Sequence, residues 1–374
     1  MRVLMLSLDR GLLGEGSSGD VVERHKKYAD LVGTLDVIVF SSKKYAPRQH
    51  AENFRVFPTK SRKFSHWARA VEIAIKLHRE QPYDLLITQE FAAPAGAKIK
   101  QKTGLPWLVS IHGMFFSSEW LRLRPLEWYL YFRVRRAIKA ADAFRVNNEI
   151  IEEKLEEWGL HKPILVQPTA IDIKNFLSAE KPVNTVPKIL YVGRLSPEKN
   201  VAMLIEAARE IRQWFELEIV GSGPEEKRLK KMAREAGRIY FLGRQSMKQL
   251  PEIYRRADIF VLPSNTESFG QVLLQAAAAG CAIIATRTAG ARSIIQDGLA
   301  GILIAVGDRE ELKSAIERLI TDRELRSRLS TAARKMAEDY NQDEAVGKLI
   351  DFWKEIARNL TPTLSDIGEG ERVR

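Results

Sequence analysis

Cysteine is nearly absent from this chain, which has one, Cys281, among its 374 residues. A single cysteine excludes an internal disulfide, and its apolar neighbours predict a buried, unreactive thiol. No stretch reaches the ~18 consecutive apolar residues that a membrane-spanning helix needs. The first residues, MRVLMLSLDR, combine an apolar run too short for a signal peptide with no small-residue cleavage site. These absences lead us to expect a cytoplasmic protein.

Metal-ligand patterns are missing as well, since the chain has no Asp-x-Asp pair, no His-x-x-x-His pair and no cysteine cluster. We therefore expect no metal cofactor, so the charge of any bound phosphate has to be met by Lys, Arg or helix amides.

Acidic residues are too few to balance the basic ones. The formal net charge is +11, and residues 1–180 hold 28 Lys and Arg against 21 Asp and Glu. Such a surplus suits an anionic partner, although ordinary solvated charge explains it equally well.

What the sequence does contain is a repeated alternation of short apolar runs and amphipathic stretches. In the first half the runs lie at 3–8, 37–40, 85–88, 108–111, 144–146 and 164–166, between helical stretches such as 65–80 and 125–140. This alternation predicts parallel sheets covered by helices on both faces, and the length predicts two domains. We place a Rossmann-like domain at 1–177, a second at 186–341, an amphipathic helix at 342–358 and a disordered polar tail at 361–374.

The most informative stretch is residues 258–290, which read DIFVLPSNTESFGQVLLQAAAAGCAIIATRTAG. It predicts a buried strand at 259–262, a turn, a helix over about 269–279 and a second buried strand at 282–285. Strands joined in this way run parallel with a right-handed crossover. Ligands of such sheets bind at the carboxyl ends of the strands, and this is where Glu267 lies.

The turn and the helix carry groups that suit a sugar and a phosphate. Glu267 can accept hydrogen bonds from two vicinal hydroxyls, and Gln275 follows about two turns into the helix. The backbone amides of Ser268, Phe269 and Gly270 open the helix and form an anion site. Together these groups indicate a nucleotide sugar. The alternative is that Glu267 only caps the helix and Gln275 lies on a solvated face.

The segment PSNTESFGQVLLQAAAAG resembles the signature of glycosyltransferase family 4, in which two glutamates are separated by seven residues. The resemblance implies a retaining enzyme of the GT-B fold, with two Rossmann-like domains facing a cleft and a C-terminal helix crossing back to the first domain. It implies that Glu267 contacts the donor sugar. The second glutamate, which binds the ribose hydroxyls in the family, is Gln275 here, and a carboxamide can still bond one of them.

A second match to this family is GRLSPEKN, which follows a predicted buried strand beginning at Lys188. Arg194 and Lys199 correspond to the arginine and lysine that bind the donor's phosphates in the family, and a fork donor beside an ammonium suits a diphosphate. Surface salt bridging is the alternative. The glycine turn at Gly221 and the strand end at Arg244, where the family seats the base, complete the expected donor site.

Two motifs of the first half point toward the same cleft. Gly16 and Gly19 belong to a G-x-G-x-x-G pattern, but the loop is long and no acidic residue ends the second strand, so a dinucleotide site is disfavoured. We interpret it as a glycine loop near the acceptor and the donor phosphates. His112 ends a buried strand, where the family has a histidine that approaches the donor sugar, and it is expected to donate a hydrogen bond to a hydroxyl.

The stretch 120–144, WLRLRPLEWYLYFRVRRAIKAADAF, mixes aromatic residues with arginines. Such a mixture suits a helix lying on an anionic lipid surface. The pattern favours a different interpretation, in which the helix covers the sheet and its arginines lie in solvent.

The donor-site residues and the absence of metal-ligand patterns, taken with the resemblance, lead us to expect a metal-independent hexosyltransferase that moves a sugar from a nucleoside-diphosphate sugar to a glycan, lipid-linked or small-molecule acceptor. Retention of configuration is what the resemblance implies. Glu267 and His112 are the expected catalytic residues. The expected partners include an anionic membrane surface, which would hold the protein peripherally on the inner membrane face, and no nucleic acid. Two alternatives stay open: an inert protein that only binds a nucleotide sugar, and an NAD-dependent oxidoreductase based on Gly16 and Gly19.

Overall fold

The computed structural model describes residues 1–14, 21–113, 115–116, 125–170, 172–177, 181–234, 237–338, 340 and 342–360. The predictions for Gly16, Gly19 and the tail 361–374 lie outside this range. The chain divides into two compact units, unit 1 with Met1–Thr169 and Asp343–Arg374, and unit 2 with Ala170–Gln342. Each unit is built around a parallel sheet.

The sheet of unit 1 has eight strands in the order β3-β4-β2-β1-β5-β6-β7-β8, parallel except for the β3–β4 pair. The strands are β1 (Arg2–Ser7), β2 (Thr34–Val39), β3 (Arg48–Ala51), β4 (Phe54–Pro58), β5 (Leu85–Gln89), β6 (Trp107–Ile111), β7 (Ala143–Val146) and β8 (Ile164–Val166). The helices are α1 (Val21–Val32), α2 (His66–Glu80), α3 (Ala93–Thr103), α4 (Pro125–Ile138), α5 (Glu149–Glu157) and, at the chain's end, α13 (Gln342–Leu360). The six predicted strands are confirmed, whereas the edge pair β3–β4 was not foreseen because β3, RQHA, is polar and largely exposed.

The sheet of unit 2 has six parallel strands in the order β11-β10-β9-β12-β13-β14. The strands are β9 (Lys188–Val192), β10 (Glu216–Val220), β11 (Ile239–Gly243), β12 (Ile259–Leu262), β13 (Ala282–Thr286) and β14 (Ile302–Ile304). The helices are α6 (Val201–Glu210), α7 (Glu226–Ala233), α8 (Leu250–Arg256), α9 (Gln271–Ala278), α10 (Ala289–Ile294), α11 (Arg309–Thr321) and α12 (Arg323–Glu338). Cys281 is fully buried, as expected of an inert thiol.

Strand order locates the place where each sheet can hold a ligand. In unit 2 the chain moves from β9 outward to β11 and then returns to β12 on the other side of β9, so the switch point lies between β9 and β12. In unit 1 the corresponding point lies between β1 and β5. Loops that leave the carboxyl ends of these strands diverge, which opens a crevice there. The predicted turn that contains Glu267 follows β12 and therefore opens at this point.

Helix α13 packs on unit 1, as the predicted crossing back to the first domain requires. The Trp353 ring meets Tyr28 of α1 edge-on at 5.4 Å, Lys27 forms an ion pair with Asp343, and Gln167 donates to the carbonyl of Ala345 at 2.5 Å. Among the described residues, no helix is both long and apolar enough to cross a membrane.

Replacing Trp353 by alanine tests how much the closing helix contributes. Trp353 is 2% exposed, so Trp353→Ala should lower the free energy of unfolding of unit 1 by about 3–5 kcal/mol through lost burial and a cavity. Denaturant unfolding followed by circular dichroism measures the change. Glu355→Ala, at an exposed position of the same helix, is the matched control and should stay within about 0.5 kcal/mol of the wild type. Equal effects of the two substitutions would contradict the packing.

Candidate active site

A cavity of about 310 Å³ lies at the carboxyl ends of β9 and β12. It is lined by residues 192–194, Lys199, Leu262 and residues 267–272. Five of the predicted donor-site residues are therefore neighbours in the structure. They are Arg194, Lys199, Ser268, Phe269 and Gly270, and Glu267 joins them in the same lining. This volume is at the lower end of the range for small-ligand sites.

Two loops that follow different strands form this cavity, and backbone and amide contacts tie them together. The amide N–H of Asn265 donates to the carbonyl of Glu198 at 2.8 Å. Asn200 Nδ2 donates to Asn265 Oδ1 at 3.1 Å. Asn200 has a left-handed φ of 46°, a conformation that asparagine tolerates better than most residues. These contacts fix the spacing between the loop after β9 and the loop after β12.

The central interaction of the cavity is an ion pair. Lys199 Nζ lies 2.5 Å from Glu267 Oε2, and the two side chains are 22% and 13% exposed. Tyr191, fully buried in β9, donates its hydroxyl to the carbonyl of Arg194 at 3.0 Å and so holds the backbone at this position. The Arg194 side chain is exposed, and its guanidinium pairs with no acid among the described residues. The cavity thus combines a paired carboxylate and ammonium with an unpaired guanidinium.

Glycines hold the loop at the start of α9. Gly270 caps the helix with a left-handed φ of 82°. The Gly290 N–H donates to the carbonyl of Glu267 at 2.8 Å, and a Cβ on Gly290 would lie 2.5 Å from the backbone nitrogen of Phe269. The turn that begins α10 therefore supports the Glu267 loop from behind, where only glycine fits. The helix predicted over 269–279 begins later, at Gln271, because residues 267–270 form this loop.

Three predicted donor-site residues lie outside the cavity lining. Gly221, with a φ of 135°, packs on the backbone of Gly193, where an added Cβ would lie 1.8 Å from the Gly193 carbonyl oxygen. Arg244 follows β11 at the same sheet edge and is exposed. Gln275 is 8% exposed, and its Oε1 accepts a hydrogen bond from the Tyr254 hydroxyl at 3.2 Å. Gln275 is thus buried rather than on a solvated face, and it does not line the cavity that contains Glu267.

In unit 1, His112 follows β6 and its ring is held by a buried arginine. Arg145 Nη1 lies 3.0 Å from His112 Nδ1, and the Thr169 hydroxyl lies 3.4 Å from the same nitrogen. Because a guanidinium only donates, Nδ1 accepts and the proton of the neutral ring is on Nε2. Burial, with the charges of Arg145 and Arg24, holds the pKa of His112 well below its usual range. His112 is therefore a neutral donor through Nε2.

Glu90, which the sequence reasoning missed, supports the same loop. It follows β5, is 7% exposed, and its Oε2 accepts the backbone N–H of His112 at 3.2 Å. Burial raises the pKa of Glu90 to about 7. Backbone N–H donors, including that of His112, and the charge of Arg145 lower this pKa but do not cancel the effect of burial. Asn147, after β7, donates to the carbonyl of His112 at 2.8 Å. The only signal in the sequence was the position of Glu90 at a strand end.

Within the described part of the chain, no three His, Cys, Asp or Glu side chains gather as a metal site.

The raised pKa of Glu90 makes a prediction for stability. Between pH 4.5 and about 7 the folded protein keeps a proton that the unfolded chain has released, so this group's contribution to stability falls as the pH rises through this window. The wild type loses this contribution between pH 5 and pH 8, whereas a glutamine at position 90 does not titrate. The unfolding free energy of Glu90→Gln minus that of the wild type should therefore rise by on the order of 3 kcal/mol from pH 5 to pH 8. Denaturant unfolding at both pH values measures this difference. Glu153→Gln, at an exposed site, should follow the wild type, and a Glu90→Gln curve parallel to the wild type would contradict the assignment.

Two structures of known proteins resemble the whole chain. Sucrose-phosphate synthase from Thermosynechococcus elongatus superposes with a TM-score of 0.84 at 19% identity, covering 96% of this chain and 100% of the other. HepE of Anabaena, in complex with UDP-glucose, gives a TM-score of 0.76 at 19% identity, covering 95% and 100%. At this identity the likeness shows the fold alone, which is the GT-B fold that these glycosyltransferases share.

Sequence comparison gives relatives that are glycosyltransferases. An uncharacterized glycosyltransferase of Methanocaldococcus jannaschii is 27% identical over 303 residues, 80% of this chain and 83% of the relative. A D-inositol 3-phosphate glycosyltransferase of Geodermatophilus obscurus is 30% identical over 219 residues, where the match spans about half of each protein, 52% and 48%. The family model Glycosyltransferase Family 4 matches residues 32–175, and Glycosyl transferases group 1 matches residues 172–336. The chain is therefore a glycosyltransferase of the group 1 and family 4 type.

Proposed function

We propose that the chain transfers a sugar from a nucleoside-diphosphate sugar to a glycan, lipid-linked or small-molecule acceptor, with retention of configuration. The observation that carries the proposal is the ion pair of Lys199 and Glu267 beside the exposed Arg194 in one cavity. A carboxylate and two cations match the two parts of such a donor, a polyol and a diphosphate. The HepE structures, which are complexes with UDP and glucose and with UDP-glucose, support this donor class.

In the proposed reaction the unit 2 residues bind the donor and stabilise its leaving group. Glu267 accepts hydrogen bonds from the sugar hydroxyls. Lys199 has three N–H donors, so one can stay on Glu267 while the others reach a phosphate. Arg194 adds a planar fork suited to phosphate oxygens. As the bond from the sugar to the diphosphate breaks, negative charge grows on the leaving group, and fixed cations lower the barrier because they need no rearrangement.

Unit 1 is proposed to supply His112 and the acceptor site. The Nε2–H of the neutral His112 ring donates to a hydroxyl, and Arg145 keeps the ring in that tautomer. Retention of configuration rests on membership of the family. We also propose that Arg194, Lys199 and the amides of residues 268–270 meet the diphosphate charge without a metal, and that the protein acts in the cytoplasm without a nucleic-acid partner.

One observation favours a second candidate, a protein that binds a nucleotide sugar without transferring it. The family's second glutamate is Gln275, and its oxygen is already bonded to Tyr254. If the ribose contact is essential for positioning the donor, this substitution would weaken turnover more than binding.

Substitution of the cavity residues tests the site. Glu267→Ala and Arg194→Ala should each lower kcat/KM by at least 100-fold, because they remove a group that contacts the donor in the transition state. Both side chains line an open cavity, so the melting temperature should change by no more than about 3 °C. Arg212→Ala, at another exposed arginine of unit 2, is the control and should keep full activity. Activity that survives both cavity substitutions would place the site elsewhere.

A panel of UDP, GDP and ADP sugars tests the donor class. A donor at about 100 times its Kd should stabilise the folded protein by about 2.7 kcal/mol, and the shift in melting temperature should persist in EDTA. Transfer to an acceptor, or hydrolysis of the donor, separates an enzyme from the inert candidate, which would show the shift without turnover. A shift with NAD and with no nucleotide sugar would replace the proposal with the oxidoreductase alternative.

A further inference from the structure

Helix α4 has an apolar side toward the sheet and a second apolar side toward solvent. Val134 and Ile138 are fully buried in the core of unit 1. On the opposite side Leu126, Trp128, Tyr129 and Phe132 are 54%, 46%, 52% and 57% exposed. The sequence favoured a covering helix with solvated arginines, and the buried Val134 and Ile138 agree with it; the structure adds large apolar side chains on the solvent side. We call the exposed side the α4 outer face: Leu126, Trp128, Tyr129, Phe132, Arg133 and Arg136.

The charges on the α4 outer face all have one sign. Arg133 and Arg136 are exposed there, and Lys139 follows directly after the helix. The single acid of the helix, Glu127, lies seven residues before Val134 and thus on the sheet-facing side. Aromatic rings with cations and no carboxylate form the surface that an interfacial helix presents to anionic headgroups.

A second exposed segment lies beside this helix. The Arg133 guanidinium is 5.3 Å from the ring centre of Trp67, in the first turn of α2. Three residues before Trp67 stands Phe64, which is 94% exposed, the highest exposure among the large apolar side chains of the described chain. Exposed cations precede it, namely Lys60, Arg62 and Lys63. The two segments repeat the same combination of an apolar side chain and basic neighbours on one part of unit 1.

We propose that the α4 outer face and the Phe64 segment together form a docking surface for an anionic lipid bilayer. The aromatic side chains enter the boundary between headgroups and acyl chains, and the cations lie against the phosphates. A second copy of this chain fits less well, since a two-fold contact through α4 would bring Arg133 and Arg136 of both copies together without an acid between them. The surface is independent of the donor cavity in unit 2.

Co-sedimentation of the full chain with vesicles tests the proposal, without any sugar present. The chain should bind phosphatidylcholine vesicles that contain roughly a third phosphatidylglycerol, bind pure phosphatidylcholine at least tenfold more weakly, and be released by salt. Trp128→Ala/Phe132→Ala should weaken binding at least tenfold. Arg136→Gln/Lys139→Gln should weaken it roughly fivefold per cation on anionic vesicles only.

The matched control uses the other exposed tryptophan of the described chain with a neighbouring arginine. Trp214 is 69% exposed and follows Arg212 in unit 2, so Trp214→Ala/Arg212→Gln removes the same residue types elsewhere and should leave vesicle binding unchanged. Phe64→Ala provides a variant in a second element should the α4 variant fail to fold, and it should weaken binding at least threefold. Equal loss in the control, binding that ignores lipid charge, or no binding would each overturn the proposal. A dimer in light scattering that Trp128→Ala/Phe132→Ala dissociates would identify a second copy as the occupant instead.

Discussion

The ion pair between Lys199 and Glu267 is the contact on which the candidate site depends. Its two residues come from loops that leave different strands, so the pair forms only if β9 and β12 are neighbours in the sheet, as they are. At partial burial each charge alone would be costly to desolvate, and pairing offsets much of that cost. Arg194, which pairs with no acid among the described residues, adds an exposed positive charge beside this pair. The pair therefore holds the two loops, and the charges they carry, at a fixed spacing.

The unit 2 site keeps a charged pair, whereas burial in unit 1 favours the neutral forms of the ionisable groups. There the pKa of His112 is lowered and the pKa of Glu90 is raised, so that both favour their neutral forms around a buried Arg145. Arg145 can only donate, so it fixes the direction of its hydrogen bond to His112. Arg145 donates to Nδ1, and the loop that carries His112 donates its backbone N–H to Glu90. A histidine in this setting acts as a directed hydrogen-bond donor rather than as a titrating base.

The sequence could predict the fold and the residues of unit 2 that belong to a local motif. Buried parallel strands are nearly continuous apolar runs, and Glu267, Arg194 and Lys199 each lie in the segment that follows one. Contacts that depend on side-chain direction could not be predicted. Gly221 and Gly290 serve as close-packing positions against the backbone of other turns, and their neighbours are distant in sequence. Glu90 and Arg145 were missed for the same reason, since only the register of β5, β6 and β7 brings them to His112.

Gln275 shows how packing constrains a motif position. It lies on the buried side of α9, 8% exposed, with the Tyr254 hydroxyl as its partner. Burial raises the pKa of Tyr254, so this phenol stays a neutral donor. A glutamate at 275 would bury a negative charge against one neutral hydroxyl, and a cation or a bound ligand would have to compensate for it. A carboxamide needs no such compensation, so Gln275 fits this buried position better than a glutamate would. Because the amide oxygen has two acceptor sites and the amide nitrogen carries two hydrogens, the bond from Tyr254 leaves Gln275 with further hydrogen-bonding capacity.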